Sequence, residues 1–345
     1  MLMFRRDFLK AAGMLGAGAA SSDAAISRAL AQQAPGPGSA QAIRIFMGGY
    51  GPSTTGFSLA LKRIGDRMND RFGSAVDVRY VYNIMDLGYL AADILWLVEQ
   101  GLLTLGYQSS SYFEARVPNI GITDLPFLFA DPRAARAAMD GALGDALTAE
   151  IEANMDYRVL GYFENGFRQI SNRLRPIRTL EDLRGMKIRV LPSEVHARCF
   201  ELLGADPKVM DLSEALRSVK DGTVDAQENP FANTVTYGVH EYHRFHSITN
   251  HIYISRPIML HRATFDAWPV ELQLEFRAAV KEAVSFQREL HTTEEIDAAA
   301  TIRASGGEIL DLDAEQLQPF RDAIRPLYAE ARERYDPKLV ALAGI

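Results

Sequence analysis

The sequence predicts an α/β fold divided into two domains. Three observations predict it. Strand-like and helix-like hydrophobic patterns alternate along the chain. Its 345 residues, 48% of them apolar, are too many for one core at roughly 100–200 residues per domain. One unbroken helical stretch near the C-terminus is long enough to bridge two such cores.

In chain order, residues 43–47 form a short apolar run that ends in a turn-rich segment, Gly48-Gly49-Tyr50-Gly51-Pro52-Ser53-Thr54-Thr55-Gly56. Leu59, Ile64 and Met68 then keep helical spacing, residues 76–82 alternate as a strand, and residues 87–100 return to helical spacing. Residues 102–106, 159–163, 187–190 and 224–226 are further strand candidates with helices between most of them. Strands alternating with helices imply mainly parallel sheets covered on both faces. From Pro269 to Ser305 there is no helix breaker, and Gly306-Gly307 follow as a C-cap signal. Such a helix spans about 55 Å at 1.5 Å per residue. Phe276, Val280, Ala283 and Val284 share a face, but no sustained heptad supports a coiled coil, so a domain-bridging helix fits better. Residues 328–335 read as a closing surface helix.

The N-terminus carries Phe4-Arg5-Arg6-Asp7-Phe8-Leu9-Lys10, which is similar to the twin-arginine export motif, with Phe4 where Ser or Thr is usual. The Ala- and Gly-rich residues 11–20 are too short to span a bilayer, which takes about 20 apolar residues. Ala29-Leu30-Ala31 offers a cleavage site. Residues 1–31 are therefore expected to be a twin-arginine signal peptide directing export to a bacterial periplasm, and residues 32–42 a flexible lead-in.

The net charge of −7, without a basic run, argues against nucleic acid as a partner. The single Cys199 reads as a small buried hydrophobe. Ser53-Thr54-Thr55 lacks the Lys of a phosphate-binding loop, and no G-x-S-x-G elbow occurs. His240, His243 and His246 cannot share one helix face, since residues six apart point about 120° away from each other. No metal and no cofactor are expected, and the scattered carboxylates show no acid–base pair.

Two arginines stand out. Arg189 lies in Lys187-Ile188-Arg189-Val190, where its side chain leaves on the face opposite to Ile188 and Val190. A guanidinium presents a planar fork matched to a carboxylate, and the end of a sheet strand is where α/β folds open a cleft. Arg168 lies in the Gly- and Asn-rich turn Glu164-Asn165-Gly166-Phe167-Arg168, where it either serves a site or pairs with a carboxylate such as Glu164. Asn229 precedes Pro230, which holds it extended with an amide free to donate.

Together with Val224-Asp225-Ala226-Gln227-Glu228-Asn229-Pro230, these segments resemble the solute-binding proteins of tripartite ATP-independent periplasmic (TRAP) transporters, the DctP family. Ala226 stands where that motif usually has Gly. The resemblance covers nearly all of residues 43–335. It implies a periplasmic-binding-protein-like fold with a ligand cleft, crossing strands and a long hinge-spanning helix. Domain I is expected at 43–165 plus 255–294, and domain II at 166–254 plus 295–345. It also implies that Arg189 grips the carboxylate of a small organic acid, with Arg168 and Asn229 as further contacts. Ser109 matches a position where sialic-acid-binding members carry an acidic residue, and its lack of a carboxylate speaks against that ligand. Leu212 matches an often aromatic position. Gly49 in the first loop is assigned to the site, while Tyr50, Tyr107 and Tyr112 either wall the pocket or fill the core. The implied partners are the membrane permease subunits of the transporter, and the implied state is a monomer. The competing class is an exported enzyme acting on a small carboxylate-containing substrate.

Overall fold

The computed structural model describes residues 42–345, so the predicted signal peptide and nearly all of the lead-in lie outside the described residues. The chain forms two lobes, each built around one sheet and covered by helices. The first sheet has the order β2-β1-β3-β10-β4, from β1 (Ile43–Gly48), β2 (Val76–Val81), β3 (Leu105–Tyr107), β4 (Tyr157–Phe167) and β10 (Tyr253–His261). The second has the order β11-β9-β5-β8-β6-β7, from β5 (Gln169–Asn172), β6 (Lys187–Val190), β7 (Asp206–Val209), β8 (Ala226–Asn229), β9 (Phe245–Ile248) and β11 (Glu308–Asp311).

Two strand passages cross between the lobes, besides the long helix described below. β4 ends at Phe167 and β5 starts at Gln169, so the chain changes sheets at the single residue Arg168. The return runs from β9 to β10, and the Arg168 N–H donates to the Ile252 carbonyl at 2.9 Å, tying the passages together. These crossings explain why the sheets are mixed rather than mainly parallel. β10 pairs antiparallel with β3 and β4, and β5 pairs antiparallel with β8 and β9.

The element positions differ from the sequence reading in small ways with physical causes. Residues 87–100 do not form one helix, because Gly88 at φ 88° ends a short turn (Ile84–Leu87) and the helix begins only at Asp93–Glu99. The strand expected at 224–226 runs instead from Ala226 to Asn229 and stops at Pro230. The helix expected at 328–335 spans Arg325–Arg334 with Leu327 and Ala331 buried, and a further helix, Pro337–Ala343, ends the chain.

The long helix is Val270–Ala304, with Pro269 as its N-cap. Its 35 residues rise about 52 Å. Phe276, Val280, Ala283 and Val284 are buried as their shared face requires. The N-terminal half packs on helix Gly56–Phe72 and β4; the C-terminal part packs on helix Phe231–Thr236 and β11. Two adjacent glutamates on it hold one lobe each. Glu294 accepts from the Gly56 N–H at 2.7 Å, and Glu295 accepts from Phe231 and Ala232 N–H at 3.2 and 2.7 Å. Each carboxylate thus meets the positive end of a helix in a different lobe. Among the described residues, no helix is long and apolar enough to cross a membrane.

Gly166, just before the first crossing, sits at φ 92°, and a Cβ there would lie 2.4 Å from His291 Nε2 on the long helix. Both the backbone conformation and the close approach require glycine. Gly166→Ala is expected to lower stability by roughly 1–3 kcal/mol, and chemical denaturation would measure it. An unchanged midpoint would mean that the crossing yields easily.

Candidate functional site

The segments that the lobes bring face to face border a pocket of about 260 Å³, open solvent included. Tyr50, Ser109, Tyr112 and Arg256 line it from the first lobe; Arg189, Leu191, Leu212, Asn229, Asn233 and Tyr237 line it from the second, with Arg168 at the crossing. Its interior volume, on the scale by which cavities are compared, is only about 20 Å³, far below the roughly 300–1,000 Å³ of ordinary ligand sites, so the lobes leave little free space between them here.

Arg189 reaches the cavity because β6 is flanked by β8 and β7, which bury Ile188 and Val190 and send the intervening side chain to the other face. Its Nε and Nη2 donate to the Met210 carbonyl at 3.2 and 2.9 Å. It is only 1% exposed, and among the described residues it forms no ion pair. One carbonyl therefore orients the fork without neutralising it.

Arg168 is placed differently. Its guanidinium is held by Glu228, with Nη2 donating to Oε1 at 3.0 Å and also to the Glu228 carbonyl. The carboxylate partner is thus Glu228 rather than Glu164, which pairs with Arg136. The antiparallel register of β5 on β8, with Ile170 opposite Glu228, brings this pair together across 60 residues. Glu228 also meets His196 Nδ1 at 3.5 Å and His251 Nε2 at 3.7 Å, and His196 Nε2 stands 3.4 Å from Asp124. Burial works to raise the Glu228 pKa, but Arg168 and the two imidazoles outweigh it and hold the carboxyl well below its usual range. Burial likewise works to lower the His196 pKa, yet the carboxylates at its two nitrogens raise it to about 9. The result is a buried, charge-balanced network behind the cavity.

Asn229 ends β8, where its amide donates to Gln227 Oε1 at 3.0 Å and Gln227 in turn donates to Thr234 Oγ1 at 3.2 Å. Across the cavity the Tyr50 hydroxyl meets Ser109 Oγ at 3.4 Å, and burial pushes the Tyr50 pKa up to about 12. Two bonds join the lobes over the cavity. The Leu212 N–H donates to the Tyr112 hydroxyl at 3.1 Å, and the Ala92 N–H donates to Asp211 Oδ2 at 3.0 Å.

Two residues assigned to the site from sequence are placed elsewhere. Tyr107 is buried behind Tyr50, stacked on Phe57 with ring centroids 5.2 Å apart, and lines a neighbouring pocket of about 750 Å³, open solvent included. Gly49 lies behind Tyr107; a Cβ there would come 2.6 Å from the Tyr107 hydroxyl and 2.9 Å from the Tyr82 carbonyl. Its absent side chain makes room for that ring and does not face the 260 Å³ cavity. The histidines take separate partners: His243 bonds Ser171, His246 the His243 carbonyl, and His251 Thr249. Among the described residues, no group of His, Cys, Asp and Glu could hold a metal ion.

Arg256, Tyr237, Asn233 and Leu191 line the cavity although sequence reasoning singled none of them out. A signal existed for Arg256, the sole charge inside the otherwise apolar Tyr253-Ile254-Ser255-Arg256-Pro257-Ile258-Met259-Leu260. Its guanidinium lies over the Phe57 ring at 4.0 Å and the Tyr50 ring at 5.0 Å, and Nη2 donates to Asn165 Oδ1.

The model of the bacterial extracellular solute-binding proteins, family 7 (DctP), matches residues 52–334. The chain is 30% identical over 287 residues to the 2,3-diketo-L-gulonate-binding periplasmic protein of Escherichia coli strain K12, covering 83% of this chain and 85% of that protein. It is 26% identical over 226 residues to the C4-dicarboxylate-binding periplasmic protein of Rhodobacter capsulatus, covering 65% and 67%. A TRAP periplasmic solute-binding protein of Xanthobacter autotrophicus Py2, solved with β-D-galacturonate bound, superposes with a TM-score of 0.80 at 26% identity, over 87% of this chain and 98% of that one.

Proposed function

The chain belongs to the DctP family of bacterial extracellular solute-binding proteins, the receptors of TRAP transporters, and from that premise we propose that it binds a small organic acid through Arg189 in the interlobe cleft. The observation that carries this reading is the Arg189 fork, buried, oriented by Met210 and without an ion pair among the described residues. A solute carboxylate supplies the missing counter-charge as a bidentate pair. Asn229, Ser109, Leu212 and Tyr50 shape the remaining contacts, and Arg168, neutralised by Glu228, acts at the pocket floor through its position. The related proteins named above for a keto sugar acid, a sugar acid and dicarboxylates support an acid as cargo.

The two closing bodies are residues 43–165 with 255–294, and 166–254 with 295–345. The sheet change at Arg168 and the division of labour between Glu294 and Glu295 support the limits near 166 and 294, while the last helix, Pro337–Ala343, packs on Ala142–Asn154 of the first lobe. Closure follows because only the closed form lets one ligand touch both lobes, so the ligand shifts the open–closed population. The receptor is a periplasmic monomer exported by its twin-arginine leader. It delivers its cargo to a membrane permease driven by an ion gradient.

A thermal-shift screen of residues 32–345 against organic acids, amino acids and neutral sugars tests this. An acid at 100 times its Kd is expected to stabilise the fold by about 2.7 kcal/mol, a shift of several degrees. Stabilisation by neutral sugars or amino acids alone would defeat the proposal.

A further inference from the structure

Both bonds that join the lobes over the pocket come from consecutive residues, Asp211 and Leu212. The residue before them, Met210, gives its carbonyl to the Arg189 fork. One three-residue turn thus holds the arginine of the second lobe and the rim of the first. Asp211 is also the N-cap of the helix Leu212–Asp221, where its Oδ1 accepts from the Ser213 N–H at 2.8 Å. Its other oxygen, Oδ2, accepts from the Ala92 N–H in the first lobe at 3.0 Å. Ala92 leads into the helix Asp93–Glu99 and has no side chain able to cap it. One carboxylate therefore serves the first turns of two helices, one in each lobe. A cap needs a single acceptor oxygen, which Asn supplies as well as Asp does. The bond across the cleft needs the second oxygen. Asp93 works against that bond: burial raises the Asp93 pKa, and the nearby Asp211 charge adds to the rise. Asp211 itself does not line the pocket.

Resting on the receptor reading above, we propose that Asp211 is a positioning residue for solute binding, whose second carboxylate oxygen latches the first lobe onto the turn that orients Arg189. The latch sets the share of closed protein, and the solute meets it only through that share. Its effect is therefore the same for every acid the site takes, whereas a residue that touches the solute discriminates between acids. Met210 ties the two events together. The turn that bonds Ala92 and Tyr112 across the cleft also carries the carbonyl that aims the Arg189 fork, so restraint of the turn restrains the fork.

Two measurements on protein freed of co-purified ligand by unfolding and refolding decide it. Spin labels at Leu87→Cys and Lys220→Cys, exposed positions in opposite lobes, report the interlobe distance without solute, while the buried Cys199 stays unlabelled. Calorimetry with 2,3-diketogulonate, galacturonate and succinate reports affinity. Asp211→Asn keeps one acceptor for the Ser213 N–H and turns an amide donor toward the Ala92 N–H. It is expected to leave the thermal midpoint nearly unchanged and to lengthen the interlobe distance. Each acid that binds is expected to weaken by one common factor, about five- to thirtyfold. Asp211→Ala, which loses the cap as well, is expected to open the lobes equally and to lower the midpoint by roughly 2 °C or more. An unchanged interlobe distance in Asp211→Asn overturns the latch. So does a changed preference among the acids, which is the mark of direct solute contact. An Asp211→Asn protein that fails to fold, or loses as much stability as Asp211→Ala, reduces the residue to a helix cap and also overturns it. If none of the three acids binds the unaltered protein, the receptor reading loses its support, and the label distances still decide the latch.

Discussion

Arg189→Ala is expected to weaken binding of an acid ligand by about 2–5 kcal/mol, between thirtyfold and several thousandfold, while the protein remains folded. The size follows from burial. A carboxylate drawn into the closed cleft would lose water on entry and, without the guanidinium, find no fork to replace it. The fold survives because the arginine's internal bonds are confined to the Met210 carbonyl, with no ion pair among the described residues. Removing an uncompensated buried cation even favours the ligand-free protein, so its thermal midpoint is expected to hold or rise. Arg189→Lys is expected to recover only part of the affinity, since an ammonium cannot reproduce the planar fork. Calorimetry giving Arg189→Ala the affinity of the unaltered protein would remove the carboxylate clamp from this strand.

Glu228→Gln is expected to have the opposite signature: a loss of stability of about 3–5 kcal/mol. The amide keeps the shape of the side chain but leaves the Arg168 guanidinium and the His196 imidazolium short of a counter-charge inside the protein. Urea denaturation checks this, and a loss below about 1 kcal/mol would mean that water reaches the network. Its pH dependence carries a second test. Glu228 has a depressed folded pKa, so its contribution is present above the unfolded carboxylate value near 4.3 and is lost as pH falls further. His196, raised to about 9, contributes fully below about 6.5 and loses its contribution as pH rises through 9. His243, His246 and His251 are shifted down by burial, so their part is complete above about 6.5 and does not mask that decline. Stability is therefore expected to fall between about pH 7 and 9, and to fall less steeply in Glu228→Gln, where His196 retains only Asp124.

How far the site could be read from sequence depended on the range of the forces involved. Arg189 was legible because its cue is local: alternation in a four-residue strand sends one charged side chain to the face that Ile188 and Val190 avoid. Arg168 was legible as a candidate, but its partner was not, since Glu164 is near in sequence and Glu228 is 60 residues away. Only the pairing of β5 with β8 selects the distant carboxylate. Tyr50 and Tyr107 show the same limit. They bracket no different pattern in sequence, yet one faces the cavity and the other stacks behind it. Arg256 announced itself as a charge in an apolar strand, but its meaning required Phe57, Asn165 and Tyr50, which arrive from three other segments.

By itself the sequence determined the elements and their order: the alternating strands and helices, the Pro269 to Ser305 boundaries of the long helix, and the motifs that mark the family. These depend on backbone propensity, caps and hydrophobic period, which act over a few residues. The tertiary structure alone decided which charges cancel. It joined Arg168 to Glu228, left Arg189 and Arg256 facing one cavity, and turned the strand crossings into antiparallel members of each sheet. Charge balance is a property of side chains brought together in a dry interior, where an unpaired ion is far more costly than in water, and strand register across the fold decides which ones meet.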